Sequence, residues 1–241
     1  MYFLLTRPEE DNEKLARNLE TLGHQVWCDP LLVIEIYRVG NVAPDKFQAI
    51  IFTSANGVRA FVQNSQDRDI PCYAVGQATA GTARDAGFRS VQAAGGDVEK
   101  LARFICHNLS PEDGPLLHIS GRDVAGDLSK LLAGDGFHVA CEKLYRATRV
   151  TNLSTITQDM IKAGQISHIP FFSPRTAKTF ITLIKKAGLE NYLTEITALC
   201  LSSAVSDVIK SLCWHEILTA RQPDQVSLFD LIDVKLEENR Q

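Results

Sequence analysis

The sequence predicts an α/β protein with two similar lobes, each a parallel sheet flanked by helices, joined by a two-stranded hinge. Three observations predict this: short apolar strands alternate with amphipathic helices, the pattern repeats internally, and the repeat is circularly displaced along the chain. The chain has 241 residues, enough for two ordinary domains. Its 45% hydrophobic and 22% charged residues are typical of a globular protein that buries a core.

The first β-α-β unit shows the alternation. A strand at residues 3–5 precedes Pro8, which we expect at the first helical position, and an acidic first turn follows it. Leucines continue at helical spacing until Gly23, which ends the helix at the C′ position, and a strand follows at residues 25–28. Two strands joined by a helix predict a parallel sheet. The same pattern predicts strands near residues 49–52, 73–75, 116–119 and 139–145.

The second half of the chain repeats this arrangement. Residues 50–54, followed by a helix containing Phe61, resemble residues 170–173, which are followed by a helix containing Phe180. Near the middle of the chain the order changes, because Gly136 to Cys141 resembles Gly23 to Cys28 at the beginning. The first β-α-β unit therefore matches the end of the middle segment rather than its start.

This displacement predicts the domain layout. If both lobes contain the same units, the N-terminal piece must complete the lobe formed by the C-terminal half. We expect one lobe to comprise residues 1–36 plus 147–241, and the other, inserted, to comprise residues 39–145. The first strand then lies in the sheet of the C-terminal half. The chain crosses twice between the lobes, and two extended crossings are typical of a hinge.

Polar turns follow the predicted strands in both lobes. Ligands of open α/β sheets bind beyond the carboxyl ends of the strands, so we expect a binding site in the cleft between the lobes. A serine or threonine before a helix is commonly only an N-cap. The recurrence of such turns indicates that backbone N–H groups converge on an anionic ligand. The candidate substrate-binding residues are Thr6, Arg7, Thr53, Ser54, Gly76, Ser120, Gly121, Arg122, Ser173, Pro174, Arg175, Ser202 and Ser203.

Other classes of protein are disfavoured. The net charge is −4 and no long basic stripe occurs, which argues against a nucleic-acid interface. The N-terminal residues lack the pattern of a signal peptide, and no apolar run is long enough to span a bilayer. The six cysteines form no CxxC pair, which favours reduced thiols in a cytoplasmic protein. The histidines show no metal-ligand spacing, and we expect His118 and His168, which lie in strands, to be structural. Phosphate-binding and dinucleotide-binding glycine motifs are absent.

A family resemblance accompanies these patterns. In order and spacing, short motifs along nearly the whole chain resemble those of uroporphyrinogen-III synthases. The motifs are residues 4–8 (LLTRP), 51–58 (IFTSANGV), 74–80 (AVGQATA), 95–101 (GGDVEKL), 144–146 (LYR) and 171–174 (FFSP). They add Asn56 and Thr79 to the candidate substrate-binding residues. The chain departs from the family where Ser202-Ser203-Ala204 replaces the glycine-containing turn with threonines that many members have.

The resemblance implies a reaction. These enzymes close hydroxymethylbilane, a linear tetrapyrrole, to uroporphyrinogen III, with inversion of ring D and loss of water, in haem biosynthesis. The resemblance implies no metal and no organic cofactor, and a monomer in the cytoplasm. It matches Tyr145 to a family tyrosine that faces the cleft and would supply a proton to the leaving hydroxyl. It makes Arg7 and Arg175 charge partners for the carboxylates of the substrate. A transient contact with hydroxymethylbilane synthase stays open.

Two other interpretations stay open on the residues alone. A hinged two-lobed protein that binds a small anion without catalysis would share this pattern, as would a regulatory module. Tyr145 could then be only the aromatic end of a strand, and Arg122 and Arg175 could be solvated surface charges. The missing export signal argues against a periplasmic receptor, and the recurring hydroxyl-rich turns argue against a bare interaction module.

Overall fold

The computed structural model describes residues 1–40, 42–122 and 128–238, with side chains described as far as residue 232. The elements in chain order are β1 (Tyr2–Leu5), α1 (Glu9–Thr21), β2 (Gln25–Cys28), β3 (Leu32–Ile36), β4 (Ala49–Phe52), α2 (Ala55–Val62), β5 (Cys72–Ala74), α3 (Gln77–Asp85), β6 (Val91–Ala93), α4 (Val98–Asn108), β7 (Leu116–Gly121), α5 (Leu128–Ala133), β8 (Val139–Arg149), α6 (Thr155–Lys162), β9 (His168–Phe171), α7 (Pro174–Ala187), β10 (Thr197–Cys200), α8 (Ser203–Ile209), β11 (Glu216–Thr219) and α9 (Gln225–Glu238). Short 3₁₀ helices lie at Pro44–Lys46, Pro111–Asp113 and Glu190–Glu195. Across these described ranges, no helix is both long enough and apolar enough to cross a bilayer.

The contacts divide the chain into two compact units. Unit 1 is formed by Met1–Val33 together with Thr148–Gln241, and unit 2 by Ile34–Ala147. The N-terminal piece of unit 1 ends at Val33, three residues before the boundary expected at residue 36. The physical reason is that β3 belongs to the sheet of unit 2, where it lies beside β8.

Unit 1 contains a five-stranded sheet in the order β11-β10-β9-β1-β2. The pairings within it are parallel, and Phe3 of β1 lies opposite His168 of β9. The first strand therefore lies in the sheet of the C-terminal half, which confirms the pairing that the displaced repeat predicts. Leu4 packs on the face covered by α6, α7 and α8, whereas Phe3 and Leu5 pack on the opposite face, beneath α1 and α9.

Unit 2 contains a six-stranded sheet in the order β3-β8-β7-β4-β5-β6. The strands from β8 to β6 in this order pair in parallel. Its two faces are covered by α2 and α3 on one side and by α4 and α5 on the other. The edge strand β3 runs antiparallel to β8, because Leu31 accepts a hydrogen bond from Val150 while Tyr37 donates one to Leu144 further along. The two chain crossings are thus hydrogen-bonded to each other.

Local chain signals agree with the structure in part. Gly23, with φ +82°, follows the end of α1 at the predicted C′ position. The expectation for Pro8 is wrong: its ψ of 150° makes it the N-cap, and α1 begins at Glu9. The sequence pattern also predicts a helix from about Thr79, whereas α3 begins at Gln77. The pattern predicts a further helix after Arg122 that carries Leu128, Leu131 and Leu132; these leucines lie in α5, and residues 123–127 lie outside the described part of the chain.

Candidate functional site

The sheet of unit 1 brings several candidate residues to one edge. Strands β10, β9 and β1 are parallel neighbours, so their carboxyl ends meet at the same edge of the sheet. Ser202, Ser173 and the Thr6-Arg7 pair follow these three strands. These candidate residues therefore lie along one edge of the sheet of unit 1.

Arg7 is held firmly at this edge. A guanidinium nitrogen lies 2.9 Å from a carboxylate oxygen of Asp11, and the guanidinium carbon lies 4.4 Å from the centre of the Phe172 ring. The Asn12 amide donates to the Arg7 carbonyl at 2.8 Å, which fixes the backbone of the turn. About a fifth of the Arg7 side chain remains exposed (20%). Phe172 and Asp11 thus orient a partly exposed cation at the carboxyl edge of the sheet.

The remaining candidates of unit 1 differ in accessibility. Thr6 is buried, and among the described residues its hydroxyl has no hydrogen-bond partner. Ser173 caps α7, because its hydroxyl oxygen accepts from the Thr176 N–H at 3.2 Å. Pro174 and Ser203 are exposed in the first turns of α7 and α8. Arg175 is half-buried in α7, and Ser202 is the N-cap of α8 but makes no side-chain cap.

The sheet of unit 2 forms a second polar edge. The carboxyl ends of β7, β4 and β5 are neighbours there and lead to Gly121, Thr53-Ser54 and Gly76. Ser54 caps α2 by accepting from the Asn56 N–H at 3.1 Å. The Asn56 side-chain oxygen accepts from Arg59 at 2.7 Å, so it is already engaged within the helix. The N-cap function of Ser54 and Ser173 therefore uses their hydroxyl groups within their own helices.

Helix α3 begins without a side-chain cap. Gly76 is its N-cap, and a Cβ built at Gly76 would meet no atom within 4 Å. The N–H groups of the first turn of an α-helix have no partner inside the helix. The N-terminus of α3 therefore offers backbone donors beside open space. Thr79, in the same turn, is buried.

Tyr145 lies at a β-bulge. Ser120 pairs with Lys143, but the next residue, Gly121, pairs with Tyr145, so Leu144 is the extra residue. A bulge breaks the alternation of side chains, and both Leu144 and Tyr145 pack into the cluster beneath α2 and α3. The Tyr145 side chain is only 5% exposed.

The bulge also positions the end of β7. Exposed Arg122 donates its backbone N–H to the Tyr145 carbonyl at 2.8 Å. Ser120 is buried, and its hydroxyl lies 3.1 Å from the Cys141 sulfur. The strand end is thus held by main-chain contacts, and Ser120 faces a thiol of the neighbouring strand.

His118, which the sequence predicts to be structural, lies beside this edge. The His118 Nε2 lies 3.2 Å from the Thr53 hydroxyl oxygen, and burial lowers the pKa of His118 to about 4. The ring is therefore neutral at physiological pH. Asp11 and Phe172, which contact Arg7, were likewise not predicted as site residues. His118 could have been suspected as a polar residue in an apolar strand, but no local signal pairs Phe172 with Arg7.

Metal and thiol chemistry find little support. Among the side chains of residues 1–40, 42–122 and 128–232, no group of three or more His, Cys, Asp or Glu residues could hold a metal ion. Burial raises the pKa of the Cys72 and Cys200 thiols to about 12, so neither is a reactive thiolate at neutral pH.

Comparisons with known proteins agree with the motifs. Residues 13–230 match the family model described as uroporphyrinogen-III synthase HemD. The uroporphyrinogen-III synthetase structure from Helicobacter pylori has 21% identity and a TM-score of 0.60, with 87% of this chain and 92% of that chain covered. A mutant uroporphyrinogen III synthase from the extremely thermophilic bacterium Thermus thermophilus has 14% identity and a TM-score of 0.53, with 99% of this chain and 100% of that chain covered.

At these low identities, the two structures bear on the fold, and they share the arrangement of parallel sheets flanked by helices. The family model covers most of the chain and bears on its membership. The resemblance read from the sequence motifs is therefore confirmed: the chain belongs to the uroporphyrinogen-III synthase family of tetrapyrrole biosynthesis.

Proposed function

We propose that the chain closes hydroxymethylbilane to uroporphyrinogen III, with loss of water and inversion of ring D. The observation that carries this proposal is the family match over residues 13–230. The sequence motifs at the strand ends support it, because they surround the residues that form the polar edges of both sheets.

The substrate carries acetate and propionate groups, so it needs cation and N–H donors. In unit 1, Arg7 offers a guanidinium oriented by Phe172 and Asp11. In unit 2, the uncapped N-terminus of α3 offers backbone N–H groups at the positive end of a helix dipole. We propose that these two features bind substrate carboxylates. Ser54 and Ser173 contribute indirectly, by holding the first turns of α2 and α7 in place.

Loss of the hydroxyl group from the substrate requires a proton. We propose Tyr145 as the donor, since a phenol is protonated at neutral pH and can donate through its O–H. The bulge at Leu144 supports this role, because bulges re-aim side chains beside functional sites. The Tyr145 ring packs in the core, so we propose that only its phenol O–H takes part in the reaction.

The harder task is selecting the isomer. Hydroxymethylbilane closes on its own to the uninverted type I product, so the enzyme must hold ring D where inversion occurs. We propose that this is an orientation effect, which can lower a barrier without a cofactor. We further expect the protein to act as a cytoplasmic monomer.

The test is an isomer assay. Purified protein is mixed with freshly prepared hydroxymethylbilane, and the products are oxidised and separated as type I and type III porphyrins. The expected result is rapid formation of type III. Type I at the uncatalysed rate, together with tight substrate binding, would instead indicate an anion-binding protein without catalysis.

A further inference from the structure

His118 is a polar residue at an apolar position of the sheet. Its neighbours in β7, Leu116, Leu117 and Ile119, are buried and apolar, and His118 itself is 5% exposed. A hydrogen bond joins its Nε2 to the Thr53 hydroxyl, which lies just beyond the end of β4. Burying an imidazole requires a compensating partner, so this position is more costly for histidine than for leucine.

The repeat shows what the fold itself requires at this place. Ser54 and Ser173 cap equivalent helices, and their preceding strands β4 and β9 pair with β7 and β1. Ala49 lies opposite Leu116, and the equivalent residue His168 lies opposite Phe3. Leu116 of β7 is therefore equivalent to Phe3 of β1. His118 lies two residues after Leu116, and Leu5 lies two residues after Phe3, so the equivalent of His118 is Leu5.

The same count makes Phe172 the equivalent of Thr53. Leu5 is fully buried, and both Leu5 and Phe172 belong to the apolar cluster beneath α1 and α9. Unit 1 thus builds this position from two apolar side chains, whereas unit 2 uses an imidazole and a hydroxyl. One copy of the repeated unit therefore forms without a polar pair at this position.

We propose that His118 is a positioning residue that holds the Thr53 hydroxyl as a hydrogen-bond donor to a carboxylate of the substrate. This inference rests on the proposed function. Thr53 is only partly buried, and it lies between the last residue of β4 and Ser54, the cap of α2. His118 is only 5% exposed, so it acts on the ligand through Thr53.

The class of ligand sets the direction of the hydrogen bond between His118 and Thr53. A carboxylate accepts hydrogen bonds, so the Thr53 O–H must point outward. The His118 Nε2 must then carry the proton and donate to the Thr53 oxygen. The lowered pKa of His118 keeps the ring neutral, so one tautomer can persist across the assay range. The opposite tautomer would draw the Thr53 proton inward and leave only an acceptor for the ligand.

The test combines four variants in the isomer assay. Thr53→Val should raise KM about tenfold, the value of one lost hydrogen bond, with little change in kcat. His118→Leu should raise KM by a similar factor. The double variant Thr53→Val/His118→Leu should match the single variants rather than multiply their effects, because both remove one interaction. His118→Gln, which retains a side-chain N–H donor, should restore KM.

The double variant separates function from stability. Replacing both partners by apolar groups leaves no unsatisfied polar atom, so it should unfold no more easily than wild type while keeping its raised KM. Thr182→Val, at an exposed position of α7, is the matched control and should leave KM unchanged. A double variant with wild-type KM, or multiplied single effects, would overturn the inference.

The tautomer is measured separately. Nitrogen NMR of histidine-labelled protein should show the proton of His118 on Nε2, and a proton on Nδ1 would overturn the assignment of Thr53 as donor. The proposed function fails differently. In that case the wild-type protein itself would form no type III isomer.

Discussion

Acid should weaken the fold through His118. Burial lowers its pKa from 6.5 to about 4, so the unfolded chain binds a proton at pH values where the folded protein does not. Stability attributable to this residue is therefore complete above pH 6.5 and is lost as the pH falls toward 4. The linkage relation gives a loss of about 1.4 kcal/mol at pH 5.5 and about 3 kcal/mol at pH 4.

The measurement is urea unfolding of wild type and His118→Gln at pH 7, 5.5 and 4. The glutamine does not titrate, so the difference in unfolding free energy between the two proteins should shift by these amounts in favour of the variant. The exposed His138, changed to glutamine, measures the effect of losing a histidine that the core does not enclose. A difference that stays constant with pH would refute the claim that the folded core holds His118 neutral.

Five further substitutions, in three experiments, test the site and the packing. Tyr145→Phe should lower kcat about 100-fold while the bound product remains type III, with a melting curve to exclude unfolding; nearly full activity would remove Tyr145 from proton transfer. Ser54→Ala should lower the free energy of unfolding by about 0.5–2 kcal/mol and raise KM modestly. Gly76→Pro should raise KM more, because proline cannot adopt φ −160° and must distort the N-terminus of α3. Equal, complete loss of activity in both would contradict this order. Gly57→Ala should destabilise the protein by about 1–2 kcal/mol, since its methyl group would lie 3.1 Å from a backbone oxygen of β7. Gly81→Ala, which adds a methyl group in open space, should stabilise α3. Thermal unfolding compares the two variants, and equal shifts in melting temperature would argue against close packing at Gly57.

Much of the fold follows from local signals in the sequence. Strand β4 is a continuous apolar run, and Ser54 after it stops the strand and caps a helix. Gly23 ends α1 because glycine tolerates the left-handed φ that a C′ residue needs. The displaced repeat determined more, since it predicted that β1 pairs with β9 far away in the chain.

The weakly patterned edges were harder to predict. Strands β6 and β11 are short and partly exposed, so they lack the apolar runs that identify central strands. Pro8 fits the first helical position by residue type, but its ψ placed it just outside α1. The residue types alone could not decide between these two conformations.

The candidate site likewise has features that the sequence predicted and features that only the structure shows. The sequence by itself determined which residues follow the strands, because the apolar runs mark the strand ends. It also predicted that these residues share an edge, since neighbouring parallel strands end at the same edge of a sheet. Only the tertiary structure decided what those residues do there. It brought Phe172 against Arg7, placed His118 beneath Thr53, and inserted the bulge that turns Tyr145 into the core. Each of these contacts joins neighbouring strands that are distant in sequence, and their geometry depends on register and bulges, which no local pattern of residues encodes.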